Sequence, residues 1–217
     1  MSIPAEVRME DRVILAMGGG GFTMEPSNPL LDDFVLSLTR SSAPRVLFLP
    51  TASGDTTGPI NAFQARFADR LCTPEHLSLF RLRDARRSLG EIVLEQDIIY
   101  VGGGSMRNLL AIWRAHGLDG LLVQAWRTGT VLAGLSAGAM CWFQGGVTRS
   151  SGPPEPLAGL GVLDGSLTVH ADGEPERLPV WLANVRDGTL PGGWALDDGV
   201  GLLFRGLRMT RVVSSRP

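Results

Sequence analysis

The chain's most chemical-looking feature is a serine between two spaced glycines, Gly134-Leu135-Ser136-Ala137-Gly138, where an apolar run ends and a stretch of small residues begins. A serine becomes a nucleophile when a sharp strand-to-helix turn lifts its hydroxyl clear of the sheet. Such a turn needs minimal bulk two residues before and two residues after, and glycine supplies it at both places. The same turn sets the N–H of Ala137 at the start of a helix, where it can stabilise a developing oxyanion. A second donor is expected from Gly102-Gly103-Gly104, which ends another apolar run. In a parallel sheet the carboxyl ends of neighbouring strands share one edge, which makes Gly103 and Gly104 candidates for the oxyanion or substrate-binding loop.

A serine needs a base, and the chain offers only His76, His116 and His170. His76 lies within an apolar run, and His116 precedes Gly117 near a helix end. His170 closes a strand before the polar turn Ala171-Asp172-Gly173-Glu174, after the serine in the chain, and is the expected general base. A carboxylate should fix its tautomer. In the order serine, acid, histidine the acid falls between Ser136 and His170, where only Glu155 and Asp164 stand. Asp164 reads as part of a turn with Gly165, so Glu155 is the expected third member. Asp172 and Glu174 are close to the base in sequence, but a local turn could bring one round. Asp197-Asp198 before Gly199 reads as a turn. Cys141 reads as buried packing inside the helix after Ser136.

The elements that must hold these residues alternate between short β-branched runs and longer stretches of helical period. That pattern predicts an α/β fold around a mostly parallel sheet. Strands are expected at 12–17, 45–49, 76–80, 98–101, 130–135 and 167–170, with helices around 30–38, 60–67, 109–113, 118–126, 137–143 and 176–185. The segment after Phe143 reads as loop. Three closing strands, at 194–196, 200–204 and 209–213, are expected to be antiparallel because their connections are short. Residues 1–217 are expected to form one domain.

Composition removes whole classes of function. All 20 basic residues are arginine, which excludes a lysine-bearing phosphate loop, a pyridoxal Schiff base and a Ser-Lys dyad. The net charge of −2 suggests neither nucleic acid nor a membrane surface as partner. Cys72 and Cys141 are far apart and stand in no metal-ligand spacing, so a reducing, cytoplasmic setting is expected, with no metal and no cofactor. The first twelve residues mix acids and bases, unlike a secretory leader or an anchor.

Taken together, the glycine run after Met17, Thr51-Ala52-Ser53, Tyr100-Val101-Gly102-Gly103-Gly104, Gly134 to Ala139, His170 to Arg177 and Asp197-Asp198-Gly199 resemble the peptidase E (aspartyl dipeptidase) family of serine peptidases, cyanophycinase-like members included. The resemblance implies a three-layer α/β/α fold akin to class I glutamine amidotransferases, with serine in place of their cysteine. It also implies His170 as base, a small peptide as substrate, and a homodimer or larger homo-oligomer. Related chains often carry an acid in the segment that here reads Gly146 to Ser151, and this sequence has none there. An Asp-preferring dipeptidase would want an arginine for the substrate carboxylate, and Arg107 and Arg149 are the candidates. The same nucleophile and base would also serve an esterase or amidase, and a chain without its acid could be a non-catalytic binding module.

Overall fold

The structure, a computed structural model, describes residues 5–84 and 86–216; the first four residues of the segment expected to be neither leader nor anchor lie outside them. In chain order the elements are β1 (Val13–Met17), α1 (Gly21–Met24), α2 (Leu30–Ser37), β2 (Arg45–Leu49), α3 (Thr57–Phe67), β3 (Thr73–His76), α4 (Leu89–Leu94), β4 (Ile98–Val101), α5 (Met106–His116), α6 (Leu118–Arg127), β5 (Val131–Leu135), α7 (Ala137–Met140), β6 (Phe143–Thr148), β7 (Glu155–Ala158), β8 (Leu163–Thr168), α8 (Arg177–Arg186), β9 (Gly193–Ala195), β10 (Val200–Arg205) and β11 (Arg208–Ser214).

A seven-stranded sheet runs in the order β11-β10-β1-β5-β4-β2-β3. Its five members from β1 to β3 are parallel, and β10 and β11 extend it antiparallel. Side chains along a strand alternate between faces, and here both faces are covered. Val13, Leu15, Phe48 and Tyr100 point to a core closed by Phe22, Leu31, Phe63 and Phe67 of α1, α2 and α3. Ile14, Leu47, Ile99 and Leu132 point to the opposite core, closed by Met106, Leu109, Trp113, Leu122 and Trp126 of α5 and α6. Phe63 stacks on Phe48 with centroids 4.9 Å apart, while Phe22 meets both edge-on, arrangements that favour the aromatic quadrupoles. The three-layer α/β/α expectation stands.

Three expectations are corrected. The segment after Phe143 is no loop: it supplies β6 and β7 of a second, four-stranded sheet ordered β7-β6-β8-β9. Likewise, β9 does not join the antiparallel end of the main sheet but pairs in parallel with β8. Phe143, Trp194 and Phe204, with centroids 5.5 to 5.6 Å apart, lock this second sheet against the first. The run at 76–80 is also displaced, since the strand there is Thr73–His76 and Leu79–Asp84 forms 3-10 turns.

Candidate active site

Ser136 stands between β5 and α7 with φ 55° and ψ −119°, a conformation that non-glycine residues rarely adopt and that costs about 1–3 kcal/mol. Packing over-determines it. A Cβ on Gly134 would come within 2.0 Å of the Gly138 carbonyl oxygen, and one on Gly138 within 2.4 Å of the Val101 oxygen. In both cases the Cβ would strike a backbone carbonyl that has no room to yield, so the paired glycines are a steric requirement of the turn. The Ser136 N–H donates to the Met17 oxygen at 3.0 Å, and its own carbonyl accepts from Ala139 and Met140 at 2.9 and 3.0 Å. The half-buried serine is thereby tied to β1 on one side and to α7 on the other.

His170 lies two residues beyond β8, again with positive φ, 56°. Its carbonyl accepts from Gly173 and Glu174 at 3.1 and 2.7 Å, which closes the tight turn that aims the ring back at the main sheet. Arg177 fastens this turn to β6, donating to Glu174 Oε2 at 2.6 Å and to the Val147 oxygen at 2.7 Å. His170 Nε2 lies 2.9 Å from Ser136 Oγ.

The acid beside His170 is Asp198. Its Oδ1 lies 2.5 Å from His170 Nδ1, and the two side chains are 14% and 11% exposed. The expectation of Glu155 is corrected: its carboxylate pairs instead with Arg107 at 2.9 Å, which holds it below its ordinary pKa. The physical reason is the pairing of β8 with β9. Because these strands run parallel, the residues just beyond their carboxyl ends emerge side by side. The ladder continues past both strands, through Leu196 N–H to the Thr168 oxygen and Ala171 N–H to the Leu196 oxygen, each at 3.0 Å. Asp198 is then anchored by its own N–H, which donates to Asp172 Oδ1 at 2.9 Å. This bond holds the Asp172 carboxyl below its usual range. Asp172 pairs in turn with Arg216 at 3.2 Å, and Arg216 with Glu25 at 3.2 Å.

Two glycine segments complete the surroundings. Gly19 covers the Asp198–His170 pair so closely that a Cβ there would meet Asp198 Oδ1 at 2.0 Å and His170 Cε1 at 3.0 Å. Gly103 lies against Ser136, where an added Cβ would meet the serine Cβ at 3.2 Å. Gly104 does a different job from its neighbour: with φ +136° it passes over the Ala52 carbonyl, 2.2 Å from where a Cβ would be. Neither Arg107 nor Arg149 is a free cation, since Arg149 pairs with Glu174 and Glu176. Cys141 is fully buried, as expected, and burial pushes its thiol well above the ordinary value.

Sequence reasoning missed Asp198 and Gly19. The available signal was the Asp-Asp-Gly turn directly after a short apolar strand, which becomes informative once the order serine, histidine, acid is admitted.

Hydrogen bonds that run from a strained serine through a histidine to a carboxylate make a group able to attack a carbonyl carbon and return a proton to the leaving group. A model of peptidase family S51 matches residues 14–212. The chain belongs to this family. It is therefore a serine-type peptidase, a hydrolase. The uncharacterized peptidase YgaJ of Bacillus subtilis (strain 168) is 48% identical over 203 residues, 94% of this chain and 87% of YgaJ. Among solved structures, a protein of Listeria monocytogenes EGD-e proposed as a peptidase E superposes with a TM-score of 0.66 at 20% identity, covering 94% of this chain and 98% of that one. A peptidase from an acI-B1 Actinobacterium superposes with a TM-score of 0.71 at 23% identity, covering 93% and 87%. At these identities the two structures speak for the fold.

Proposed function

We propose that this S51 peptidase hydrolyses short peptides by acyl transfer through Ser136. The observation that carries the reading is the 2.9 Å contact of His170 with Ser136, made by an imidazole whose other nitrogen is held by Asp198 at 2.5 Å. Ser136 Oγ attacks the scissile carbonyl carbon while its proton passes to His170 Nε2. Asp198 keeps the proton on Nδ1 beforehand and faces the imidazolium afterwards. The oxyanion receives hydrogen bonds from the backbone N–H groups of Ala137 and Gly103, one at the elbow and the other beside it. Collapse breaks the C–N bond as His170 donates its proton to the leaving amine. Water, deprotonated by the same histidine, then releases the acyl group.

In this reading Gly104 supports the oxyanion loop by its fit over Ala52, and Glu155 is a surface residue. A cytoplasmic setting is part of the same reading, and the two unpaired cysteines support it. No helix among the described residues is long and apolar enough to cross a membrane.

The test has two arms. Fluorophosphonate should modify the wild type at Ser136 alone, and Ser136→Ala should remain unmodified while folded. A library of dipeptides to tetrapeptides, Asp-X and X-Asp members included, should be cleaved by the wild type and not by Ser136→Ala. Cleavage that persists in the variant would refute the assignment, and labelling without any peptide cleavage would move the activity to esters or other amides.

A further inference from the structure

Among the described residues three that are not glycine have positive φ: Ser136, His170 and Asp55. The first two belong to the site above. Asp55 does not, and its setting is unusual in a second way. Both of its carboxylate oxygens are shut off from solvent, and the one donor that bears on them among the described residues is the neighbouring Ser78 hydroxyl. A carboxylate in this condition is expensive, because it has left water for a single donor. Ser78 has a single proton to give and could answer one of the two oxygens.

These groups line a cavity of about 360 Å³ at the carboxyl ends of β2 and β3, together with His76, Ile60, Phe80 and Arg81. Gly54 and Asp55 are successive left-handed residues, with φ 68° and 56°. They turn the chain between β2 and α3 so that the Asp55 side chain lines the cavity. Burial pushes the Asp55 carboxyl up, while Ser78, His76 and Arg81 pull it down. His76, Phe80 and Arg81 are exposed on the rim, where solvent reaches them and side chains reorient within nanoseconds. The group that lacks a partner is therefore the acceptor, and a ligand that completes it must bring N–H donors and positive charge.

The position of the cavity says which amine. In the main sheet β2 is two strands from β5, and β3 is three, all parallel, so the cavity opens on the same edge as Ser136. At a spacing of about 4.8 Å per strand the separation is roughly 10–14 Å, the length of three to four extended residues. The ground between is continuous: Gly104, next to the oxyanion loop, lies over Ala52, and the Ser105 N–H donates to the Ala52 oxygen at 2.8 Å.

We propose that the Asp55 cavity binds the α-ammonium group of peptide substrates that extend three or four residues to the amino side of the scissile bond. Asp55 and Ser78 accept its hydrogen bonds, and exposed Arg81 and Phe80 swing aside to admit it. This rests on the serine peptidase reading and adds a length and terminus requirement to it.

The test separates the two. In Ser136→Ala, which reads binding without turnover, matched pools of randomised tetrapeptide amides, one with free and one with acetylated amino termini, are compared for retention by ultrafiltration with mass-spectrometric quantitation. The free-amine pool should be retained at least about tenfold better. The preference should vanish in Ser136→Ala/Asp55→Asn and shrink in Ser136→Ala/Ser78→Ala. Asparagine tolerates the left-handed conformation, so the first of these variants keeps the fold. Equal retention of the two pools, failure to retain either, or a preference that survives Asp55→Asn overturns the proposal. Fluorophosphonate labelling of the wild type reports on the parent reading. Normal labelling without an amine preference removes the amine site alone, whereas an amine preference without labelling removes the hydrolytic reading alone.

Discussion

Asp198→Asn preserves shape and removes one charge, and its effect can be worked from the geometry. In the wild type the carboxylate accepts the Nδ1 proton of His170, so Nε2 presents its lone pair to Ser136 Oγ at 2.9 Å. An asparagine can turn its NH2 toward Nδ1 instead. The ring proton then moves to Nε2, which becomes a donor to the serine and no longer a base. A second loss comes after proton transfer, when the imidazolium faces the carboxylate with both side chains largely buried. Opposite charges about 4 Å apart attract by about 4 kcal/mol at an effective dielectric constant near 20, and the variant forfeits this. The expected fall is about 10³-fold. The second-order rate constant for modification of Ser136 by fluorophosphonate measures it without knowledge of the natural substrate, and circular dichroism checks the fold. If Asp198→Asn reacts within about tenfold of the wild type, the carboxylate is not the partner of His170 in the reacting state, and the reasoning fails.

Glu155→Gln removes a carboxylate that pairs with Arg107 away from His170, so labelling of Ser136 should stay within about twofold of the wild type; a loss comparable to Asp198→Asn would return Glu155 to the site. Gly19→Ala places a Cβ 2.0 Å from Asp198 Oδ1. Because the atom it meets ends a side chain, the fold should lose no more than about 1–2 kcal/mol in urea unfolding, while labelling falls at least about 10²-fold through the displaced acid. Asp32, fully buried beside Arg66 at 3.0 Å and accepting from Tyr100 at 3.2 Å, is raised by burial to about 6. A carboxyl raised above its unfolded value takes up a proton on folding between about pH 4 and 6, so it favours the fold on the acid side and that contribution is lost as pH rises through 6. Relative to Asp32→Asn, the wild type should gain up to about 3 kcal/mol between pH 7 and 4 in urea midpoints corrected for slope, and a flat difference would show that Asp32 keeps an ordinary pKa.

The central strands were legible because they are covered on both faces. Arg45–Leu49, apolar from Val46 on, and the apolar run Ile98–Val101 are stopped by Pro50 and Gly102, and the structure reproduces their limits. Where a strand lacks that cover or that run, the reading fails. Thr73–His76 is a partly exposed edge strand with a proline, and nothing in its pattern announces it. β6 holds Gly145-Gly146, which imitates a loop. These glycines admit close neighbours instead: a Cβ at Gly146 would meet the Leu167 oxygen at 2.3 Å, and one at Gly145 the Leu190 side chain at 2.7 Å. Glycine that permits a turn and glycine that permits close approach look alike in a sequence, and only the packing tells them apart.

The same distinction explains why the serine and the histidine of this cluster were legible and the carboxylate beside them was not. Ser136 announces itself within five residues, because the constraint on its backbone is local and Gly134 and Gly138 record it. His170 could be reached by elimination among three histidines. The acid answers to no local rule. Twenty-eight residues separate it from the histidine, and what joins them is the choice of β9 as the parallel neighbour of β8, with α8 as the connection between. Had β9 joined the antiparallel end of the main sheet, as its short connection to β10 suggests, Asp198 would have closed an ordinary hairpin turn. Its place in the site is therefore a property of strand pairing, and Gly19, Asp172 and the β8–β9 ladder are the structure's record of that pairing.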